Sequence, residues 1–128
     1  MQLSENFNSE EFECKCGCGF DDIDPALIIV LEDIRAHFNK YYAGKITIKI
    51  NSGCRCPEHN ANEGGAPKSQ HIFGTACDCV VKLDGVPIDQ DRVADYLEDK
   101  YPGMLGIGRY RGRTHVDVRL GCARWDKR

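Results

Sequence analysis

The stretch 69–78 contains the residues whose types and spacing point most clearly to chemistry. Its sequence is S-Q-H-I-F-G-T-A-C-D, with His71 and Asp78 seven positions apart. A loop histidine followed at this spacing by a strand aspartate can converge on one cation. Gly74 allows the backbone to turn between them, and Ala76 leaves room on the strand face that Asp78 shares. The stretch therefore predicts two ligands of a metal site whose third ligand lies elsewhere in the chain.

Three segments of the chain together resemble the M15 family of zinc peptidases. The first is the pattern S-x-H-x-x-G-x-A-x-D at 69–78, completed by a later histidine within a predicted strand. The second is 52–60, S-G-C-R-C-P-E-H-N, and the third combines G-I-G-R-Y at 106–110 with T-H-V-D at 114–117. The resemblance covers nearly the whole chain. It implies cleavage of bacterial cell-wall peptides beside D-amino acids, as in D-alanyl-D-alanine carboxypeptidases, D,D-dipeptidases and the L-alanyl-D-glutamate endopeptidases of phage lysins.

The resemblance implies one catalytic zinc ion bound by His71, Asp78 and His115. Three protein ligands and one open position are typical of catalytic zinc, because the remaining position holds the water that reacts. His115 is preferred to His59 as the third ligand. It lies in the strand that matches the family, whereas His59 follows Pro57 in a predicted short helix.

The general base is the point at which the sequence departs from the family pattern. Many members carry an acid three residues before the last histidine ligand, but that position here is Gly112. Asp117 lies two residues after His115 and on the same strand face by alternation, so it is our candidate for the base. The alternative is that Asp117 orients His115 or pairs with Arg119.

Three polar residues are predicted to bind the substrate. Arg55 matches the family's substrate-binding arginine, and we also count it as catalytic because a guanidinium fork suits a peptide carboxylate or a polarised carbonyl. Ser69 is predicted to bind the substrate or to hold its own loop. Arg119 is a further candidate for substrate binding, unless it pairs with Asp117.

The cysteines form a separate pattern of eight residues: Cys14, Cys16, Cys18, Cys54, Cys56, Cys77, Cys79 and Cys122. Disulfides are disfavoured in the cytosol, so C-K-C-G-C-G at 14–19 suggests a metal site. Its spacing of one residue between cysteines differs from the C-x-x-C of most zinc fingers. A second, structural zinc at Cys14, Cys16 and Cys18 therefore stays open beside buried thiols or disulfides formed after release. Cys77 and Cys79 alternate with Asp78 and are expected to face the core.

Length and charge limit the classes to which the protein can belong. Its 128 residues suit one domain, 1–128, in which 1–23 form an arm with the cysteine-rich loop. A net charge of -3 argues against a dedicated nucleic-acid binder. No apolar run approaches the roughly 20 residues of a membrane span, and the N-terminus lacks signal-peptide features. We expect a monomer made in the cytoplasm, without membrane insertion, that reaches the wall after release, as phage lysins do, or as a virion component.

Local patterns predict the elements that position these residues. Asp24 and Pro25 open a helix with an apolar stripe, a second helix spans 89–100, and a short one follows Pro57. Strands are predicted at 45–51 and 76–83, with a hairpin formed by 104–110 and 114–120. The prediction is an α+β fold with a small antiparallel sheet packed against two or three helices. The resemblance implies the same fold, which is shared with the signalling domain of hedgehog proteins.

Two other functions stay open. A non-catalytic zinc-containing domain could bind the cell wall, since the hedgehog relation shows that this fold can keep its metal and serve recognition. A virion structural protein could use the domain as a wall anchor. Both alternatives are compatible with the absence of an acid at Gly112. Whether a peptidase of this kind acts as a carboxypeptidase or an endopeptidase depends on how the cleft beyond the zinc is closed.

Overall fold

A mixed sheet of six strands is the framework of the computed structural model, which describes residues 1–128. The strands are β1 (Ile46–Ser52), β2 (Ala76–Leu83), β3 (Val86–Pro87), β4 (Leu105–Tyr110), β5 (Arg113–Asp117) and β6 (Cys122–Asp126). Their spatial order is β1–β2–β5–β4–β6, and β3 pairs with the end of β2. Every pair is antiparallel except β4 and β6, which are parallel. The predicted α+β class is confirmed, with β6 as a parallel addition to the expected antiparallel sheet.

Three α-helices accompany the sheet: α1 (Pro25–Tyr41), α2 (Pro57–Asn62) and α3 (Gln90–Lys100). Helix α1 begins where the sequence predicts, because the Asp24 carboxylate accepts a hydrogen bond from the Ala26 backbone N–H at 2.8 Å and Pro25 occupies the first turn. Helix α3 is capped in the same way by Asp89. Two short 3-10 helices, Ser9–Phe12 and Gln70–Phe73, complete the helical structure. No helix is both long enough and apolar enough to cross a lipid bilayer.

The apolar core lies against one face of the sheet, and the site described below lies on the other. Cys77 and Cys79 of β2 are fully buried in this core, as their alternation with Asp78 predicts. Helix α1 contributes the largest set of core side chains: Leu27, Ile28, Val30, Leu31, Ile34 and Phe38. Strand β2 therefore separates a dry core from a polar face.

The N-terminal arm is docked onto this core. Phe7 and Phe12 are almost fully buried, and the Glu32 carboxylate accepts hydrogen bonds from Ser4 at 2.6 Å and from the Asn6 backbone N–H at 2.9 Å. The Phe12 carbonyl accepts a hydrogen bond from the Cys54 backbone N–H at 2.8 Å. The arm thus lies against the segment that follows β1 and leads to Arg55.

Candidate metal centre

His71, Asp78 and His115 lie together on the polar face of the sheet. Each offers one ligand atom, and these atoms are all within 4.8 Å of one another. His71 Nε2 is 3.4 Å from Asp78 Oδ2, and His115 Nδ1 is 3.1 Å from Asp78 Oδ1. All three residues are buried. Two imidazoles and one carboxylate converging in this way form a donor set suited to zinc.

Strand pairing and one tight turn bring the three residues together. Asp78 of β2 lies directly opposite His115 of β5 in the antiparallel register. His71 belongs to the 3-10 helix Gln70–Phe73, which ends at Gly74 in the left-handed region with φ 70°. A Cβ at Gly74 would overlap the carbonyl oxygen of Asp22. The turn predicted at Gly74 therefore requires glycine both for its φ and for its space.

Each histidine has a hydrogen-bond partner on the nitrogen that points away from Asp78. His71 Nδ1–H donates to the Gly53 carbonyl oxygen at 2.7 Å, so Nε2 is the nitrogen that faces Asp78. His115 Nε2–H donates to Asp117 Oδ2 at 2.8 Å, so Nδ1 is the nitrogen that faces Asp78. The two rings thus present different nitrogens to the same point. Outer partners of this kind hold histidine ligands in the tautomer and orientation that metals require.

Asp117 is held from both sides and is fully buried. Besides its bond to His115, it accepts hydrogen bonds from Arg119 Nε at 2.7 Å and from Arg119 Nη2 at 2.8 Å. Burial raises the pKa of Asp117, but the bonds from Arg119 and His115 outweigh it and hold that pKa well below its usual range. The carboxylate contacts the outer nitrogen of His115, on the side away from Asp78. This geometry does not support Asp117 as the general base, and it supports the orienting role.

The pKa values of the other two ionisable residues follow from the same contacts. Burial raises the pKa of Asp78, but the hydrogen bonds from His115 and His71 bring it well below its usual range. Burial lowers the pKa of His115, but its bonds to Asp117 and Asp78 raise it above the ordinary value overall. Asp78 is therefore ionised and ready to bind a cation at neutral pH.

Glycines in β4 make room for this arrangement. Gly106 lies opposite Asp117 and Gly108 lies opposite His115. A Cβ at Gly106 would overlap both oxygens of the Asp117 carboxylate, and one at Gly108 would overlap the Trp125 indole. Glycine within a strand often marks such a close approach.

Gly106→Ala should therefore displace Asp117 and weaken zinc binding. Overpacking of a buried position typically costs about 1–3 kcal/mol, so the free energy of unfolding should fall by that amount. Gly108→Ala is the matched comparison on the same strand, since it meets the half-buried Trp125 ring rather than the carboxylate. Urea unfolding and zinc titration of both variants check this. Unchanged zinc affinity in Gly106→Ala would contradict the orienting role of Asp117.

Arg55 reaches the cluster from the segment after β1. Its Nη2 is 3.3 Å from Asp78 Oδ2, while Ser52 and Asn60 accept hydrogen bonds from the rest of the guanidinium. The side chain is 15% exposed, on the side of the cavity described next. The Ser69 hydroxyl accepts the His71 backbone N–H at 3.3 Å, a contact that fits the loop-holding role, and Ser69 also lines the cavity.

A cavity of about 530 Å³ opens over the cluster. Its lining includes every predicted metal and substrate residue, whereas the candidate base Asp117 is fully buried and does not line it. Five cationic side chains line it: Arg55, Lys68, Arg113, Arg119 and Lys127. The carboxylates in the lining are Asp78 and Glu63. The excess of positive charge suits a substrate that carries carboxylates.

Strand β6 supplies one site residue that the sequence did not indicate, Trp125. The Trp125 ring lies 4.8 Å from the His115 ring, its Nε1–H donates to Tyr110 Oη at 2.9 Å, and Arg119 lies 5.5 Å from it. These contacts form one wall of the cavity. The glycines of β4 are the signal that could have indicated a neighbour at close range. His59 lies outside the metal cluster, 3.6 Å from Glu63.

Comparison with protein families identifies the family of the chain. The model of a family described as Peptidase M15 matches residues 5–117, which include His71, Asp78, His115 and Arg55. A comparison with curated proteins finds no match.

Proposed function

The chain belongs to the peptidase M15 family, and from this membership we propose that it is a zinc-dependent peptidase that hydrolyses peptidoglycan stem peptides. The single observation that carries the proposal is the cluster of His71, Asp78 and His115. Each of its two histidines turns one ring nitrogen toward the same ionised carboxylate beneath an open cavity.

The residues present fit zinc. The donor set is two imidazole nitrogens and one carboxylate, which is a known combination for catalytic zinc with one position left for water. Both histidines have the outer hydrogen bond that such ligands almost always make. When bound, zinc supplies a Lewis acid that lowers the pKa of its water toward about 7 and polarises a carbonyl oxygen.

The protein's own residues orient the histidine ligand and bind the substrate. The two-bond contact of Arg119 holds Asp117, and Asp117 in turn holds the Nε2–H of His115, so that Nδ1 faces Asp78. Ser52 and Asn60 hold the Arg55 guanidinium beside the cluster, where it can bind a peptide carboxylate or carbonyl oxygen. Stem peptides carry free carboxylates, and the cationic lining of the cavity is complementary to them.

One observation favours an alternative function, that of a non-catalytic domain that binds the cell wall. The position where relatives carry an acidic base is Gly112, in the exposed β4–β5 turn, and Asp117 faces away from the cavity. A domain that binds zinc and the cell wall without cleaving it would need no base.

Digestion of purified muropeptides by the zinc-loaded protein, followed by mass spectrometry, tests the proposal. We expect two products whose masses sum to that of the substrate plus one water. Release of a terminal D-alanine would identify a D,D-carboxypeptidase, and an internal cut would identify an endopeptidase. Intact muropeptides, together with co-sedimentation of the protein with purified wall, would favour the binding function instead.

Arg55→Ala should keep zinc and the fold but weaken substrate use. Loss of a charge-assisted hydrogen bond costs about 1.5–3 kcal/mol, so kcat/KM should fall roughly ten- to a hundredfold. The matched control is Arg111→Ala, because Arg111 is exposed in the β4–β5 turn and outside the cavity lining. Steady-state kinetics on a muropeptide provides the measurement. Kinetics equal to those of the control would assign Arg55 a structural role.

A further inference from the structure

Four cysteine sulfurs meet at the surface where the N-terminal arm contacts the rest of the chain. The Sγ atoms of Cys14, Cys16, Cys18 and Cys56, here called the cysteine tetrad, all lie within 4.8 Å of one another. The Sγ distance is 3.4 Å between Cys14 and Cys16 and 3.6 Å between Cys16 and Cys56. The sequence pattern suggested the first three residues, and the fold adds the fourth.

The spacing of the sulfurs matches a metal site better than a set of disulfides. A tetrahedron with Zn–S bonds of about 2.3 Å places its sulfurs about 3.8 Å apart. A disulfide requires a separation of about 2.05 Å. All four cysteines are free. Four sulfurs at mutual distances near those of a tetrahedral edge form a complete donor set for one ion.

Backbone N–H groups point at two of these sulfurs. The Cys56 N–H donates to Cys14 Sγ at 3.4 Å, and the His59 N–H donates to Cys56 Sγ at 3.4 Å. Such donors favour the thiolate form that metals bind. Burial raises the pKa of Cys14, but the N–H groups of Cys16 and Cys56 bring it down to about 7.

Without an ion, Cys14 and Cys16 compete for ionisation. Contacts with Cys18 and Cys14 raise the pKa of Cys16 to about 12, while that of Cys14 falls to about 7. Coupled groups of like charge lose their protons in separate steps, because each thiolate disfavours the next. A divalent cation at the centre removes this repulsion, and all four can then ionise.

Local backbone structure allows the arm to deliver three sulfurs at such short spacing. Gly17 and Gly19 lie in the left-handed region, with φ of 84° and 88°, so the chain can turn after Cys16 and again after Cys18. The Cys14 backbone N–H donates to the Phe20 carbonyl at 2.8 Å and closes this loop.

The fourth cysteine connects the tetrad to the metal centre. Cys56 follows Arg55, whose backbone N–H donates to the His71 carbonyl at 3.0 Å. Two residues earlier, the Gly53 carbonyl accepts the His71 ring N–H at 2.7 Å. A metal ion bound to Cys56 would therefore hold one end of the segment that contains Arg55 and that hydrogen-bonds to His71.

We propose that the cysteine tetrad binds a second, structural zinc ion that ties the loop 14–18 to the segment carrying Arg55. The four thiols bind as thiolates and release four protons. Because four protein ligands leave no open position, this zinc stabilises structure and takes no part in hydrolysis. The site does not depend on the proposed peptidase activity.

The number of zinc ions per chain tests the proposal directly. Elemental analysis of protein purified under reducing conditions should give two zinc ions per wild-type chain. The double variant Cys16→Ser/Cys18→Ser should retain one, at the His71, Asp78 and His115 cluster. The matched control is Cys122→Ser, an exposed cysteine outside the tetrad, which should retain two. One zinc in the wild type and one in the double variant would overturn the tetrad site.

Cobalt substitution identifies the ligands and separates this proposal from the proposed function. The Co²⁺ protein should show thiolate-to-cobalt charge-transfer absorption that persists in His115→Ala and disappears in Cys16→Ser/Cys18→Ser. Absence of this absorption in the wild type would overturn the tetrad while leaving the His71, Asp78 and His115 site untouched.

Thiol chemistry on the wild-type chain covers the case in which the serine variant does not fold. Mercurial titration of the native protein should release one zinc ion as the tetrad sulfurs react, and the denatured protein should contain eight free thiols. Six or fewer free thiols, with no zinc released, would show that disulfides occupy this position.

Discussion

His115→Ala should abolish peptidase activity and remove the zinc bound with His71 and Asp78. The variant loses one of three ligands, and the loss of a Lewis acid that contributes several kcal/mol to catalysis lowers kcat/KM by at least about 10³-fold. Turnover of purified muropeptide and zinc content together provide the measurement. Removing zinc from the wild type with a chelator should have the same effect on turnover, and added zinc should reverse it.

The matched control for this prediction is His59→Ala. His59 follows Pro57 in α2, lies outside the cluster and is 3.6 Å from the exposed Glu63. We expect this variant to keep both zinc and turnover. Full zinc occupancy and normal turnover in His115→Ala would remove His115 from the site.

Asp117→Asn should weaken zinc binding by roughly 10–100-fold, because the orienting bond to His115 loses its charge. Turnover should then recover when zinc is added in excess. The free energy of unfolding should also fall by about 2 kcal/mol, since Arg119 loses a buried, charge-assisted partner. Zinc titration and urea unfolding check the two parts separately.

Asp126→Asn is the control for the effect on stability. Asp126 pairs with Arg128 at the surface, where both side chains are more than 40% exposed and solvent screens the pair, so its loss should change the free energy of unfolding much less. A different outcome for Asp117→Asn would restore Asp117 as the general base. In that outcome zinc affinity would be unchanged and kcat would fall by roughly 10²–10⁴-fold, even with zinc in excess.

Acid unfolding gives an independent indication of the same contacts. The folded-state pKa of Asp117 lies below the unfolded value of about 3.9, so its stabilising contribution is complete above that pH. The contribution is lost as the pH falls through the unfolded value toward the folded one. As the pH is lowered below about 4, the free energy of unfolding of the wild type should therefore decrease more steeply than that of Asp117→Asn.

Elements with strong local patterns could be predicted from the sequence. Helix α1 has a cap at Asp24, proline in its first turn and an apolar stripe, and each of these acts within a few residues. Strand β2 alternates Cys77 and Cys79 toward the core with Asp78 toward the site. His71, Asp78 and His115 could be predicted as one site because their spacing matches a family motif. The structure brings their ligand atoms within 4.8 Å of one another.

What could not be predicted depends on contacts between distant parts of the chain. Strand β6 has no apolar alternation, and it forms because it pairs with β4 and packs Trp125 into the space above Gly108. The orienting role of Asp117 depends on which nitrogen of His115 it contacts, and that follows from how the ring lies between Asp117 and Asp78 of the neighbouring strand. Cys56 joins Cys16 across 40 residues because the arm docks against the chain beside Gly53.

The most direct test of the account is the rate of muropeptide hydrolysis as a function of zinc bound at the His71, Asp78 and His115 cluster. Metal-free wild-type protein is titrated with zinc, initial rate and bound zinc are measured on the same samples, and the zinc that His115→Ala binds under the same conditions is subtracted to give the occupancy of the cluster. The account predicts no turnover without zinc and a rate proportional to occupancy of this cluster, reaching a plateau when it is full. Equal rates in metal-free and zinc-loaded protein, or no hydrolysis at full occupancy, would contradict it.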